Sequence, residues 1–403
     1  MLHSKLADWL SVQETKYDYI IYEVDPDISN WTKLCLRQAD KVILLGDNQD
    51  TATLNATEKY LFSQLKKIPT HIDLVVLYET HTVIPKNSNK WLLHRPLNIH
   101  HIKKETKSDT QRLIRILINK EIALVLGGGG AKSFAHIGVY KALEELNIPV
   151  DRLGGTSMGA LIAASFAMGN SSAETINILE KNILFNRKCN DYTIPTIALM
   201  GGSGWVKAMK DSYGEDVYIE DLWKNFFCIA SNFTTRKMNV LTKGLLYKAI
   251  RASVSLPGIV PPISNEHNEL LIDGGVFNNL PVDIMRTVAP TSQIIAVRVS
   301  PFSDLKADIP DGIASGLRNF FHRFKLYAHP LPPKVPGIAE MIAGAITLCN
   351  DTNESLMLSQ ADYSLEMNLN KFGLLDFIKL PEIVDIGYRG AMEHFSKHPI
   401  KVP

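Results

Sequence analysis

Five apolar residues in an unbroken run, IALVL (122–126), lead straight into four glycines. After them, Ser133–Leu146 carries Phe134, Ile137, Val139, Leu143 and Leu146 at helical spacing. A strand that is apolar on both faces needs cover on both faces. The run reads as such a buried strand, in an α/β domain. The glycines constrain the chain further. Each costs folding entropy, and four in a row exceed what a tight turn requires. They expose backbone N–H groups ahead of a helix, which suits a negatively charged ligand.

The rest of the chain has the same strand–helix character. PVDRLGG reads as a short strand before the strongly apolar helix TSMGALIAASFAMG. FFCIASNFT (226–234), MNVLT (238–242), ELLIDGG (269–275) and QIIAVRV (293–299) read as strands, and Leu245–Ser253 as a helix. In such α/β sheets ligands bind at loops on the strand C-termini. Ahead of this part, YDYIIYEVD (17–25), KVILLGD (41–47) and HIDLVVLYE (71–79) read as buried strands with helical stretches between them. The polar segment HHIKKETKSDTQ (100–111) reads as a connection. This predicts a smaller N-terminal α/β region over 1–118, without a catalytic motif, and a main domain over 119–403. Within the main domain the motifs occupy 122–286 and a C-terminal extension covers 300–403.

Composition removes several classes of function. A formal net charge of +1 over 403 residues gives no general pull toward nucleic acid. Cys35, Cys189, Cys228 and Cys349 are scattered, with no CxxC spacing, which argues against a zinc site or disulfide framework. No metal or other cofactor is implied. The N-terminus has no secretory apolar core. The longest apolar runs, Met158–Met168 and Ile338–Cys349, fall short of the ~20 residues a membrane span needs. A cytoplasmic protein is expected, and peripheral membrane contact stays open.

Three kinds of site for negative charge compete for the glycine run. A phosphate loop ending at Lys132-Ser133 would need glycines at 126 and 131, where Leu126 and Ala131 stand. A dinucleotide fingerprint fits Gly128 and Gly130 and fails at Ser133. An oxyanion hole asks only for backbone donors and close approach, which the run provides.

Downstream, Gly155-Thr-Ser157-Met-Gly159 fits GxSxG between a strand and a helix, the context of a nucleophile elbow. Small residues two before and two after the serine let strand and helix pass. The hydroxyl needs a base. Of the later histidines, His267, His322, His329, His394 and His398, none follows a convincing strand. Asp273 in LLIDGGVFNNLP is the better candidate. It ends a strand, and Gly274-Gly275 permit close approach. Partial burial would raise its proton affinity toward that of a working base.

GGGGAKSFAHIG, GTSMG and DGG stand in the order seen in the patatin-like phospholipases, which this chain resembles. IEDLW (219–223), YKAIRASVSLPGIVPP (247–262), LIDGGVFNNLPVDIMR (271–286), YDYIIYEVD and WTKLCLRQADKVILLGD resemble the neuropathy target esterase branch in particular. The resemblance implies a three-layer α/β/α fold with a central, mostly parallel sheet. It also implies a phospholipid or lysophospholipid substrate, hydrolysed by a Ser157–Asp273 dyad. Gly128, Gly129 and Gly130 would form the oxyanion hole. Lys132 matches a position usually basic in the family and would help organise the loop or meet a phosphate; a plain structural role stays open. His136 matches a histidine that is not the base. Ser133 departs from the family's usual glycine, which would tighten the loop or cost activity. Larger members of the branch carry cyclic-nucleotide-binding domains ahead of this region, and none is seen here. The apolar stretches of 170–225 are expected to line or cover an acyl pocket. An acyl transferase, a general esterase or a catalytically weakened lipid-binding protein are the alternatives on the same motifs.

Overall fold

The computed structural model describes residues 2–25, 27–64, 71–95, 97–184, 191–194, 196–299, 341, 344–345 and 353–402. The chain divides into two compact units. One comprises Met1–His81 with Asn87–Lys104, the other Thr82–Lys86 with Glu105–Pro403.

The first unit holds α1 (Leu2–Glu14), α2 (Asn30–Gln38), β1 (Lys41–Asp47), α3 (Ala56–Gln64), β2 (His71–Tyr78), α4 (Ser88–Leu92) and β3 (Asn98–Lys103). Its three strands form a parallel sheet in the order β1-β2-β3. Beyond the strand C-termini, Lys104 Nζ reaches Asp47 at 2.7 Å and Glu79 at 2.6 Å. Two sequence expectations fail here. Residues 17–25 form no strand, and Ile21 is 94% exposed. Alternating apolar residues supply β propensity, but a strand also needs an edge to pair with. Conversely, the segment read as a polar connection contains most of β3, whose His100 and His101 are both buried. Two adjacent histidines concealed a strand that β2 covers.

The second unit includes α5 (Lys107–Leu117), which lies within the 1–118 region expected from the sequence to be N-terminal. It continues through β4 (Ile122–Leu126), α6 (Ala135–Glu145), β5 (Arg152–Thr156), α7 (Met158–Ala167), α8 (Ser172–Leu179) and α9 (Ser203–Tyr213). Then follow β6 (Asn225–Asn232), β7 (Lys237–Leu241), α10 (Leu246–Ser253), β8 (Ile263–Ser264) and β9 (Leu270–Asp273). α11 (Val282–Val288), β10 (Gln293–Val299), β11 (Tyr363–Met367) and α12 (Leu380–Lys397) complete it. The sheet order is β11-β10-β4-β5-β6-β9-β8, with β7 also on β6. From β11 to β6 every pairing is parallel.

β4 shows why its sequence has no alternation. Ile122, Leu124 and Leu126 enter one core, with α6, α7 and α12, while Ala123 and Val125 enter the other, with Val282 and Met285 of α11. Both faces of the strand are dry, as the unbroken run requires. α7 is apolar all round and buried at every residue, so it lies inside the helical layer. Trp205 and Met209 of α9, from the stretch expected near an acyl pocket, belong to the first core. α12 lies against α6, and its Ile383 and Phe395 enter that same core. β11 and α12 come from the sequence's C-terminal extension, yet they form part of the sheet and core rather than an appendage.

α5 is fixed by charge. Arg115 donates two hydrogen bonds to Asp151, at 2.9 and 2.6 Å, and the N–H of Ile122 donates to the same carboxylate at 3.0 Å. Asp151 is fully buried. Removing one partner of such a pair leaves a buried charge without its counter-ion. Asp151→Ala should therefore lower stability by roughly 3–5 kcal/mol in urea unfolding. A loss below ~1 kcal/mol would mean that water reaches the pair.

Candidate active site

The site is built on β6. Along one edge β6 pairs with β7 over Cys228–Asn232. The other edge is shared by two strands. β5 runs parallel to β6 as far as Thr156, opposite Ile229. β9 runs antiparallel and ends at Asp273, opposite Ala230. Two strands approaching head to head along one edge bring their last residues together. Ser157 follows the first and Asp273 closes the second.

The result is a hydrogen bond of 2.6 Å from Ser157 Oγ to Asp273 Oδ2. Ser157 has φ 55° and ψ −131°, a region that costs a non-glycine residue roughly 1–3 kcal/mol and persists only where neighbours enforce it. α7 starts at the next residue. A Cβ on Gly159 would collide with the carbonyl oxygens of Leu126 and Gly127, and one on Gly155 would lie 2.9 Å from the Ala160 nitrogen. The small residues of GxSxG are thus required by the crossing of β4, β5 and α7. Gly274 packs against the Ile229 carbonyl in the same way.

Asp273 is 3% exposed. Its Oδ1 accepts from the Gly275 N–H at 2.8 Å. Burial pushes its pKa up to about 6, against the opposing effect of the hydrogen bonds from Ser157 and Gly275. Those two neighbours are neutral donors, not cations.

The glycine run lies beside Ser157: a Cβ on Gly128 would be 3.0 Å from that of Ser157. The run's amides have different fates. Gly127 N–H continues the sheet by donating to Val297 O at 3.1 Å. Gly128 N–H donates to Asn279 O at 3.2 Å, so this amide already has a partner. Among the described residues, the N–H groups of Gly129 and Gly130 meet no acceptor. Gly130 has φ +56°, and a Cβ there would strike the Leu374 carbonyl, so only glycine fits. The next amide, Ala131, donates to that carbonyl at 2.8 Å.

Lys132 is buried, and burial lowers its pKa to about 8, with Asp376 opposing. His136 is buried with Nε2 2.8 Å from Gly127 O, and burial pushes its pKa down to about 4. It is a neutral structural histidine that braces the loop. Ser133 is also buried, and its hydroxyl donates to the same carbonyl at 3.5 Å. Among the described residues no group of His, Cys, Asp and Glu gathers to hold a metal. His322 and His329 lie outside the described residues, as do Cys189 and Cys349.

Sequence reasoning missed Ser253 and Asn279. Ser253 Oγ accepts from the Ser157 N–H at 2.9 Å and donates to Ile229 O at 2.6 Å. It fills the gap on the β6 edge where β5 stops. Two residues on, Ser255 O accepts from the Asp273 N–H at 2.9 Å. The end of α10 thus grips both members of the pair. The quoted run RASVSLPG contained these serines, but no local rule assigns a partner ~100 residues away.

Comparison with known proteins places this part of the chain beside named families. Residues 124–286 match the family described as Patatin-like phospholipase, and residues 1–124 match the Neuropathy Target Esterase family P-loop like domain. The chain thus carries a patatin-like phospholipase domain preceded by a domain of the neuropathy target esterase family. It is 31% identical to human patatin-like phospholipase domain-containing protein 6, over 96% of this chain and 30% of that protein. It is 30% identical to neuropathy target esterase sws of Drosophila melanogaster, over 97% and 30%. It is also 30% identical to lysophospholipase NTE1 of Mycosarcoma maydis, over 96% and 23%. The chain spans less than a third of the length of these relatives.

The buried Asp273 has a consequence for stability. Its proton is held more tightly in the folded chain than in the unfolded one. The fold therefore has this group's full support below about pH 4 and loses it as pH rises through about 6. Asp273→Asn should be more stable than wild type at pH 7.5, by on the order of 2 kcal/mol, with the gap closing toward pH 4. Urea unfolding at the two pH values measures this. Equal stability at pH 7.5 would show that the carboxylate is solvated.

Proposed function

We propose that this chain is a serine hydrolase of phospholipid or lysophospholipid acyl esters, with Ser157 as nucleophile and Asp273 as general base. The observation that carries this is the 2.6 Å Ser157–Asp273 hydrogen bond at a strained strand–helix turn, with the carboxylate's pKa pushed up to about 6. A base with a pKa near the working pH holds its proton neither too weakly nor too firmly. The lipid class is carried over from relatives named phospholipase, lysophospholipase and esterase.

In the first step Ser157 Oγ attacks the acyl carbonyl while Asp273 Oδ2 takes its proton. The carbonyl oxygen becomes an oxyanion and accepts from the amides of Gly129 and Gly130. Gly128, first expected as a third donor, serves in this reading to fix the loop. The tetrahedral species collapses, and Asp273 protonates the departing alcohol. Water then repeats the sequence: Asp273 takes its proton, its oxygen attacks the acyl-serine, and the fatty acid leaves as Ser157 is restored.

A lipid ester has to be drawn from a bilayer or micelle, so peripheral contact with a lipid surface is part of the proposal. Among the described residues no helix is long and apolar enough to cross a membrane. Residence in the cytoplasm is proposed with it, in keeping with the free, buried thiols of Cys35 and Cys228.

A fluorophosphonate probe should label wild type and not Ser157→Ala, and only wild type should release fatty acid from lysophosphatidylcholine. Absence of labelling in wild type would refute the hydrolase reading, and labelling of Ser157→Ala would refute the nucleophile. Because the base must be ionised, kcat/KM should rise with pH through about 6 and then level. Asp273→Asn should lose at least ~10³-fold in kcat, in line with a missing general base.

A further inference from the structure

The oxyanion loop is held from a direction that the three sequence motifs do not include. Asn279 bonds to both sides of Gly128: its carbonyl accepts from the Gly128 N–H at 3.2 Å, and its Nδ2 donates to Gly128 O at 3.2 Å. The second Nδ2 hydrogen serves Glu354 Oε1 at 2.7 Å. The other oxygen of Glu354 is paired with Arg298 Nε at 2.8 Å, and Arg298 Nη1 lies 3.5 Å from Glu366. Glu354 and Arg298 are 3% and 7% exposed, so this ion pair is shielded from water.

The chemistry of these groups fixes an orientation. A carboxylate paired with an arginine only accepts hydrogen bonds. Asn279 must therefore turn its NH₂ toward Glu354, and this same NH₂ group reaches the Gly128 carbonyl. Its Oδ1 is turned toward the glycines: a Cβ on Gly128 would collide with it, and one on Gly275 would lie 2.9 Å away. Gly275 in turn donates to Asp273. One amide side chain thus lies between the oxyanion loop and the turn that carries the base, and a buried charge pair prevents it from flipping. Arg298 belongs to β10, the strand whose Val297 carbonyl accepts from Gly127. Both ends of the chain of contacts are anchored in the sheet.

We propose that Asn279, fixed by the Arg298–Glu354 pair, is a positioning residue for the oxyanion hole. It sets the Gly128 peptide so that the amides of Gly129 and Gly130 face the carbonyl oxygen of the ester. This rests on the Ser157–Asp273 reading. None of the three residues touches substrate. Their effect is confined to the transition state, where the oxyanion exists.

The test uses the full chain and three variants: Asn279→Ala, Glu354→Gln and Ser157→Ala. Active sites are titrated with a fluorophosphonate so that kcat is expressed per competent site. Asn279→Ala should lose 10–100-fold in kcat, with KM within about threefold of wild type. Glu354→Gln keeps hydrogen-bonding capacity without the charge, so it should lose less. In both variants the affinity for a trifluoromethyl ketone lipid analogue, whose adduct carries an oxyanion, should fall in step with kcat/KM. The acid limb near pH 6 should not move, because Asp273 stays buried. Unchanged kcat per titrated site in Asn279→Ala would overturn the proposal. So would a loss of kcat with undiminished affinity for the ketone, or a shifted acid limb. If Asn279→Ala does not fold, Glu354→Gln decides on the same criteria. Failure of the underlying reading looks different: wild type itself would be unlabelled, or Ser157→Ala would still turn over.

Discussion

The hydrogen bond between Ser157 and Asp273 depends on an uncommon use of one sheet edge. In a fully parallel sheet every strand C-terminus emerges on the same side, and residues at the ends of neighbouring strands are separated by the strand spacing. Here β5 stops halfway along β6, and β9 enters the vacant half from the opposite direction. The two ends meet at consecutive positions of β6, Ile229 and Ala230. No loop has to reach across the sheet to bring Asp273 to Ser157. The dyad inherits the precision of strand pairing, which suits a site that must hold two groups at 2.6 Å.

The cost of that arrangement falls on the backbone and on charge. The residue that follows β5, Ser157, has positive φ, and the Ile229 carbonyl at the junction would lack a strand partner. Ser253 offsets both, accepting from the strained residue and donating to that carbonyl. Asp273 is ionised at neutral pH in a buried place with neutral neighbours. A cation nearby would lower its pKa and make it a poor proton acceptor. In the proposed mechanism desolvation acts as the tuning device, and fold stability at neutral pH is reduced by the same amount. In the proposed mechanism the stretch that carries Asp273 gives up stability for the sake of its chemistry.

Features set by short-range rules were legible in the sequence. IALVL implied a strand dry on both faces, and its residues do divide between two cores. GTSMG implied a turn that needs small neighbours, and the crossing of β4, β5 and α7 leaves no room for others. DGG marked a strand end with a close approach. Features that depend on partners distant in sequence were hidden. The strand in NIHHIK looked like a polar connection because buried histidines are read as solvated ones. YDYIIYEVD looked like a strand because its propensity is visible and its lack of a pairing edge is not. Ser253 and Asn279 are ordinary polar residues until the fold sets them against Ser157 and Gly128.

The glycine run illustrates the same division within a single motif. Four identical residues invite a single role, yet the fold separates them. Gly127 extends a strand through Val297, and Gly128 is held by Asn279. Gly130 turns under Leu374, which also fixes the following amide. Each anchor lies on a different element, one in β10, one after the base turn and one beyond β11. The amides that remain open among the described residues, Gly129 and Gly130, are bracketed by held peptides on both sides. An oxyanion hole needs donors that are rigid and unsatisfied at once, which a free glycine loop cannot provide because it would relax onto its own acceptors. Fixing the flanks and leaving the centre open resolves that conflict. The fixing residues Asn279, Val297 and Leu374 all follow the DGG turn, so the proposed site draws on the chain well past its last motif.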